Sequence, residues 1–185
     1  MILDPVLDLF RGKAVTIPPL DGAFRPNTRL DDAPAFAELS EPDNLLVSGD
    51  RLLASSGNAV YSLAAGTEPK VVETFPSPVT ALALSPLGEL TVGLESGKLL
   101  IAGKDVVLPV DVRCVAALAY ADDGTLWLAN GSAEHGPSQW AADLMKKGAS
   151  GSLWRREAAG GAFRKVAGDV AFPYGLHPIG KDVLV

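Results

Sequence analysis

Short apolar strands punctuated by turns run through most of this chain, and one such pattern is written twice. Val79-Thr80-Ala81-Leu82-Ala83-Leu84 leads through Ser85-Pro86-Leu87-Gly88 into Glu89-Leu90-Thr91-Val92. Val115-Ala116-Ala117-Leu118-Ala119-Tyr120 leads through Ala121-Asp122-Asp123-Gly124 into Thr125-Leu126-Trp127-Leu128, with valine, alanine, leucine and the turn glycine in register. Each copy then reaches a second punctuation point, Ser96-Gly97-Lys98-Leu99-Leu100 or Ser150-Gly151-Ser152-Leu153-Trp154. The second copy reaches it later because residues 131–149 are inserted.

A weaker copy comes first. Leu45-Leu46-Val47, Arg51-Leu52-Leu53-Ala54, Ala59-Val60-Tyr61-Ser62-Leu63 and Val71-Val72-Glu73-Thr74-Phe75 read as four strands, with turns at Ser48-Gly49-Asp50 and Ser56-Gly57-Asn58. A fourth copy opens at Phe172-Pro173-Tyr174-Gly175-Leu176, turns at Gly180-Lys181 and continues through Val183-Leu184-Val185. A four-stranded unit recurring every ~40–45 residues is the signature of β-propeller blades. The expected fold is therefore all-β, a propeller with about three to three and a half blades present. The predicted boundaries are 42–77, 78–112, 113–171 and the start of a blade at 172–185. Propellers close with roughly 4–8 blades. The rest of the ring is expected either from further polypeptide or from copies of the chain, and the break within a strand at Val185 favours the first.

Two segments depart from the repeat. In residues 1–41, Asp4-Pro5 predicts the cap and first position of a short helix ending near Gly12. Pro18, Pro19, Pro26 and Pro34 then predict an extended wrap. In the insertion, Ser138 is the expected N-cap of a helix over Gln139 to Lys147, which Gly148 ends. Trp140 and Leu144 then share one face at i, i+4 spacing. Such a helix either covers a ligand site at one end of the ring or acts as a packing strut.

Composition narrows the function. A net charge of −6 without clustered basic residues gives no footprint for nucleic acid. No stretch is long and apolar enough to span a bilayer, and the N-terminus shows no secretory signal, so the expected setting is cytoplasmic. The single cysteine, Cys114, sits in an apolar strand and reads as a buried, inert thiol. Asp122-Asp123-Gly124 lacks the further spaced acids of a calcium loop and reads as a hairpin turn. No phosphate loop or nucleophile elbow is present.

The chain resembles the strictosidine synthase-like group within the six-bladed propellers of the gluconolactonase (SMP-30) and calcium-dependent phosphotriesterase type. The resemblance rests on Asn130 at the end of its strand, the insertion with Trp140 and Asp143, the Ser150 to Arg155 hairpin, and the Phe172-Pro173-Tyr174-Gly175 frame. It covers 42–185, the N-terminal half of such a protein. It implies a small molecule in the central channel, with hydrolysis of a lactone or ester. The alternatives are a metal-independent condensation of amine with aldehyde and a non-catalytic scaffold for a ligand or protein. The resemblance also implies a Ca²⁺ site, with Glu41 or Asp43 as the acidic ligand. Tyr174 and Ala116, however, stand where relatives carry oxygen-donating asparagines.

The candidate site residues follow. Tyr174 either shapes a pocket or caps the core with its hydroxyl wet. His177 offers a general base near neutral pH, or else a turn histidine before Pro178. His135 is a second histidine candidate, or an exposed residue of the insertion. Asn130 either reaches the channel mouth or serves a turn. Trp140 completes the proposed substrate-binding set.

Overall fold

Each of the first three sequence repeats folds as a four-stranded antiparallel meander. The computed structural model describes residue 28, residues 31–49 and residues 51–185. Two compact units divide the chain at residues 35 and 36. In the first, Asp31 N–H donates to the Thr28 carbonyl at 3.1 Å. The expected helix near Asp4–Gly12 lies outside the described residues.

In the second unit, strands β1 (Pro42–Ser48), β2 (Arg51–Ser56), β3 (Ala59–Leu63) and β4 (Lys70–Thr74) pair in sequence order. So do β5 (Val79–Leu84), β6 (Leu90–Leu94), β7 (Leu99–Ile101) and β8 (Lys104–Val106). The third meander holds β9 (Val115–Tyr120), β10 (Leu126–Asn130), β11 (Gly151–Arg156) and β12 (Arg164–Val170). A two-stranded sheet follows, β13 (His177–Ile179) with β14 (Asp182–Leu184). Gly88 and Gly124 take φ of 79° and 82° in equivalent hairpin turns, a conformation that glycine adopts without steric cost. Asp123 Oδ1 accepts the Thr125 N–H at 2.9 Å, which makes the Asp-Asp-Gly motif a turn. Among the described residues, no helix is long and apolar enough to cross a membrane.

Alternation gives the second sheet two apolar faces, and a neighbouring sheet stacks on each. Val79, Leu82, Val92 and Leu94 of the second sheet pack with Val60 and Phe75 of the first. From the opposite face, Ala81, Ala83 and Leu99 pack with Val115, Leu118, Leu126, Leu128 and Trp154 of the third. Neighbours Leu99 and Leu100 thus enter different cores, as a period of two requires. Each fully buried leucine contributes about 1.5–3 kcal/mol. The first strands come together: β1 lies against β5, β5 against β9, and β13 touches β9.

The insertion differs from its expected form. Pro137–Gln139 makes a 3-10 turn and a single helix, α1, covers only Trp140–Met145. Ser138 does not cap it; Gln139 holds the N-cap position without a side-chain hydrogen bond. Nor do Trp140 and Leu144 form a buried face, since both are exposed. The buried residue of α1 is Asp143.

Candidate functional site

A cleft of about 630 Å³ opens where the first strands begin. Asp43 from β1, Val79 and Thr80 from β5, and Val115 and Ala116 from β9 contribute to its lining. Glu95, just past the end of β6, reaches the same end because β6 runs antiparallel to β5. The insertion adds Pro137, Ser138 and Trp140, and the segment before β13 adds Phe172 and Tyr174.

The floor is held from beneath by Asn130. Its Oδ1 accepts the N–H groups of Arg113 and Cys114 at 3.1 and 3.0 Å. Its Nδ2 donates to the Asp111 carbonyl at 3.0 Å and to Ser152 Oγ at 3.3 Å. Gly131 N–H adds a bond to the Cys114 carbonyl at 2.7 Å. Asn130 is fully buried and absent from the cleft lining. Instead of reaching the mouth, its amide fixes the entry of β9. Burial pushes the Cys114 thiol above its ordinary 9.0, while the backbone N–H groups of Gly131 and Ser132 pull partly back.

Gly131 also makes room for the aromatic wall. A Cβ there would lie 2.7 Å from Phe172 Cε2 and 3.1 Å from Cys114 Sγ. Phe172 packs on this gap with φ of 42°, a left-handed conformation costing a bulky residue about 1–3 kcal/mol. Its ring centroid lies 5.6 Å from Trp140, and it stacks on Tyr174 at 6.3 Å and 17°. Trp140 and Tyr174 are 52% and 67% exposed, so the three rings form a ladder with two open faces. Such faces accept flat apolar groups, while the carboxylates of Asp43 and Glu95 supply charge and hydrogen-bond acceptors. Thr80 Oγ1 is buried without a hydrogen-bond partner.

Of the residues expected from sequence, Tyr174, Trp140 and Asp43 converge on the cleft. The two histidines do not line it. His177 is exposed and opens β13 opposite Leu184. His135 is half-buried in the insertion, its N–H donating to Ser132 Oγ at 3.1 Å, its Nε2 3.9 Å from Glu134 Oε2. Glu41 is exposed with φ of 45°. Among the described residues, no three of His, Cys, Asp and Glu gather to hold a metal.

Sequence reasoning missed Glu95, which reads as an ordinary turn acid in Leu94-Glu95-Ser96-Gly97. It also passed over Thr80 and Phe172, although Phe172 belongs to the Phe-Pro-x-Gly frame that carried the resemblance. The chain matches no protein-family model and no curated protein.

Proposed function

We propose that the sheets are consecutive blades of a six-bladed-type β-propeller resembling the strictosidine synthase-like and gluconolactonase group. On this reading the cleft takes a small organic molecule and hydrolyses an ester or lactone in it. One observation carries the reading: the starts of three successive first strands meet the aromatic ladder around one cleft that also holds two carboxylates. Asp43 or Glu95 serves as general base, taking a proton from water as its oxygen adds to the carbonyl carbon; the same group returns the proton to the departing alkoxide. The ladder binds the apolar part. No step is routed through a metal.

The blade reading is supported by the adjacency of β1, β5, β9 and β13. It is supported too by the uncovered face of the first sheet. The Val47–Leu52 pair matches Leu84–Leu90 and Tyr120–Leu126 at the base of each first hairpin. Leu45 thus stands where Leu82 and Leu118 face the preceding sheet, yet Leu45 and Val47 are 61% and 74% exposed. A ring of four or more blades covers that face with sheets from continuing polypeptide or from a second copy. Light scattering gives the solution mass and separates the two.

The chemical test is a panel of p-nitrophenyl esters and γ- and δ-lactones, assayed with and without added Ca²⁺. Hydrolysis is expected, and Asp43→Asn or Glu95→Gln should reduce it by about 10²-fold or more. Trp140→Ala should raise KM. Binding without turnover would instead identify a ligand-binding scaffold. An aromatic wall flanked by two acids also suits an aromatic amine, the basis of the second reading, condensation of an amine with an aldehyde. Product formation from such a pair, with no ester hydrolysis, would select it.

A further inference from the structure

The helix that carries Trp140 into the cleft wall has little apolar anchorage of its own. It spans six residues, and Trp140, Leu144 and Met145 are all exposed. An isolated helix this short is not stable in water. What holds it is a carboxylate. Asp143, 2% exposed, accepts Ser150 Oγ at 2.9 Å and Ser150 N at 3.4 Å on its Oδ2. Ser150 Oγ in turn meets Ser132 Oγ at 3.0 Å and accepts Ala133 N–H at 3.1 Å. Ser132 Oγ accepts the N–H groups of Glu134 and His135, both at 3.1 Å. Both ends of the insertion and its helix are therefore tied through the half-buried Ser150 hydroxyl and the buried Asp143 carboxylate. The turn after α1 wraps it closely: Gly148 N–H donates to the Asp143 carbonyl at 2.8 Å, and a Cβ on Gly148 would overlap Asp143 Oδ1.

We propose that Asp143 is a positioning residue whose hydrogen bonds to Ser150 set Trp140 against Phe172 and thereby fix the width of the cleft. The inference rests on the reading of that cleft as a small-molecule site. Trp140 lies three residues before Asp143, close to one helical turn. The carboxylate fixes the helix axis, and the indole at its open end follows. Asp143 does not line the cleft. Its influence passes entirely through Trp140.

The test uses the full chain labelled with 5-fluorotryptophan. Of the three tryptophans, Trp127 and Trp154 are buried in the sheets and only Trp140 is exposed. The Trp140→Phe variant assigns its fluorine resonance. Asp143→Asn and Ser150→Ala are expected to shift or broaden the Trp140 resonance and leave the other two in place. Each should weaken binding of the neutral probe N-phenyl-1-naphthylamine by a factor of about 2–10, the worth of one aromatic contact. In a Trp140→Phe background, Asp143→Asn should weaken the probe no further, an outcome that a merely structural role does not produce. An unmoved Trp140 resonance in both variants overturns the proposal. So does movement of all three resonances in both, which would make Asp143 a residue of the fold as a whole. Should Asp143→Asn not fold, Ser150→Ala carries the same comparison alone. If the probe leaves Trp140 unperturbed in the unsubstituted chain, the small-molecule reading falls, and the fluorine resonances still decide the role of Asp143.

Discussion

The hydroxyl of Thr91 on β6 meets the phenol of Tyr120 on β9 at 2.7 Å, a hydrogen bond that crosses the seam between the second and third sheets. Thr91 is fully buried. The pair is a polar stitch in a seam lined by apolar side chains. Removing one partner leaves the other desolvated and unpaired. Tyr120→Phe and Thr91→Val are each expected to destabilise the chain by about 1–3 kcal/mol. The double variant should lose less than the sum, because no orphaned hydroxyl remains. Urea unfolding of the four proteins in a double-mutant cycle measures the coupling.

Gly93 is where the same two sheets come closest. A Cβ on it would lie 2.7 Å from Val115 Cγ1 and 3.4 Å from the Ala81 Cβ. This glycine is used for space alone, since its φ is not positive. Gly93→Ala should therefore destabilise by about 1–3 kcal/mol, the cost of overfilling a packed core. Shortening the facing residue, in Gly93→Ala combined with Val115→Ala, should recover part of the loss. Thermal unfolding followed by circular dichroism reads both.

Much of this arrangement was legible in the sequence because it is periodic. The in-register copies at Val79 and Val115 placed β5, β6, β9 and β10, and the turn glycines at 88 and 124 fixed where each hairpin bends. The weaker first copy was legible from its Ser-Gly turns. The helix of the insertion was legible too, at Trp140–Met145 within the expected 139–147, but its cap and its anchor were not. Trp140 and Leu144 share a face that no core meets, and the buried Asp143 reverses the usual sign of a helical stripe. Glu95 and Thr80 could not be recognised as cleft residues, since what brings them to Tyr174 is the stacking of separate sheets. His177 attracted attention by its titration range and its distance from Gly175, yet neither property sets which way the cleft opens.

Asn130 illustrates a polar residue whose value lies in completeness. Its amide satisfies Arg113 N, Cys114 N and the Asp111 carbonyl at once. Asn130→Ala should cost about 2–4 kcal/mol, because several backbone groups lose partners together. Asn130→Asp should fall between the two. It keeps an acceptor for the two N–H groups, loses the donor to Asp111, and buries a charge. Urea midpoints rank the three proteins; equal stability of Asn130→Ala and the unsubstituted chain would mean that Asn130 does not hold the entry of β9.

Cys114 gives the chain a distinctive response to alkaline pH. Burial raises its thiol above the ordinary 9.0, and burial likewise raises the Tyr120 phenol above 10.0 against the lowering contribution of Thr91. Both groups are neutral when protonated, so folding favours the protonated form. Their contribution is fully present below the ordinary values and is lost as pH rises through the folded ones. Stability should therefore be insensitive to these two groups near neutrality and begin to fall as pH passes about 9, first through the thiol and then through the phenol. Cys114→Ala should flatten the first part of that decline, and Tyr120→Phe the second. The native thiol should also react with a disulfide reagent far more slowly than the urea-unfolded chain at pH 8, because the thiolate is the attacking species and burial disfavours it. Urea midpoints between pH 7 and 10.5, together with thiol titration in the native and unfolded states, check both expectations. A native thiol as reactive as the unfolded one would mean that β9 opens at its first residues, which the bonds from Asn130 and Gly131 to Cys114 are placed to prevent.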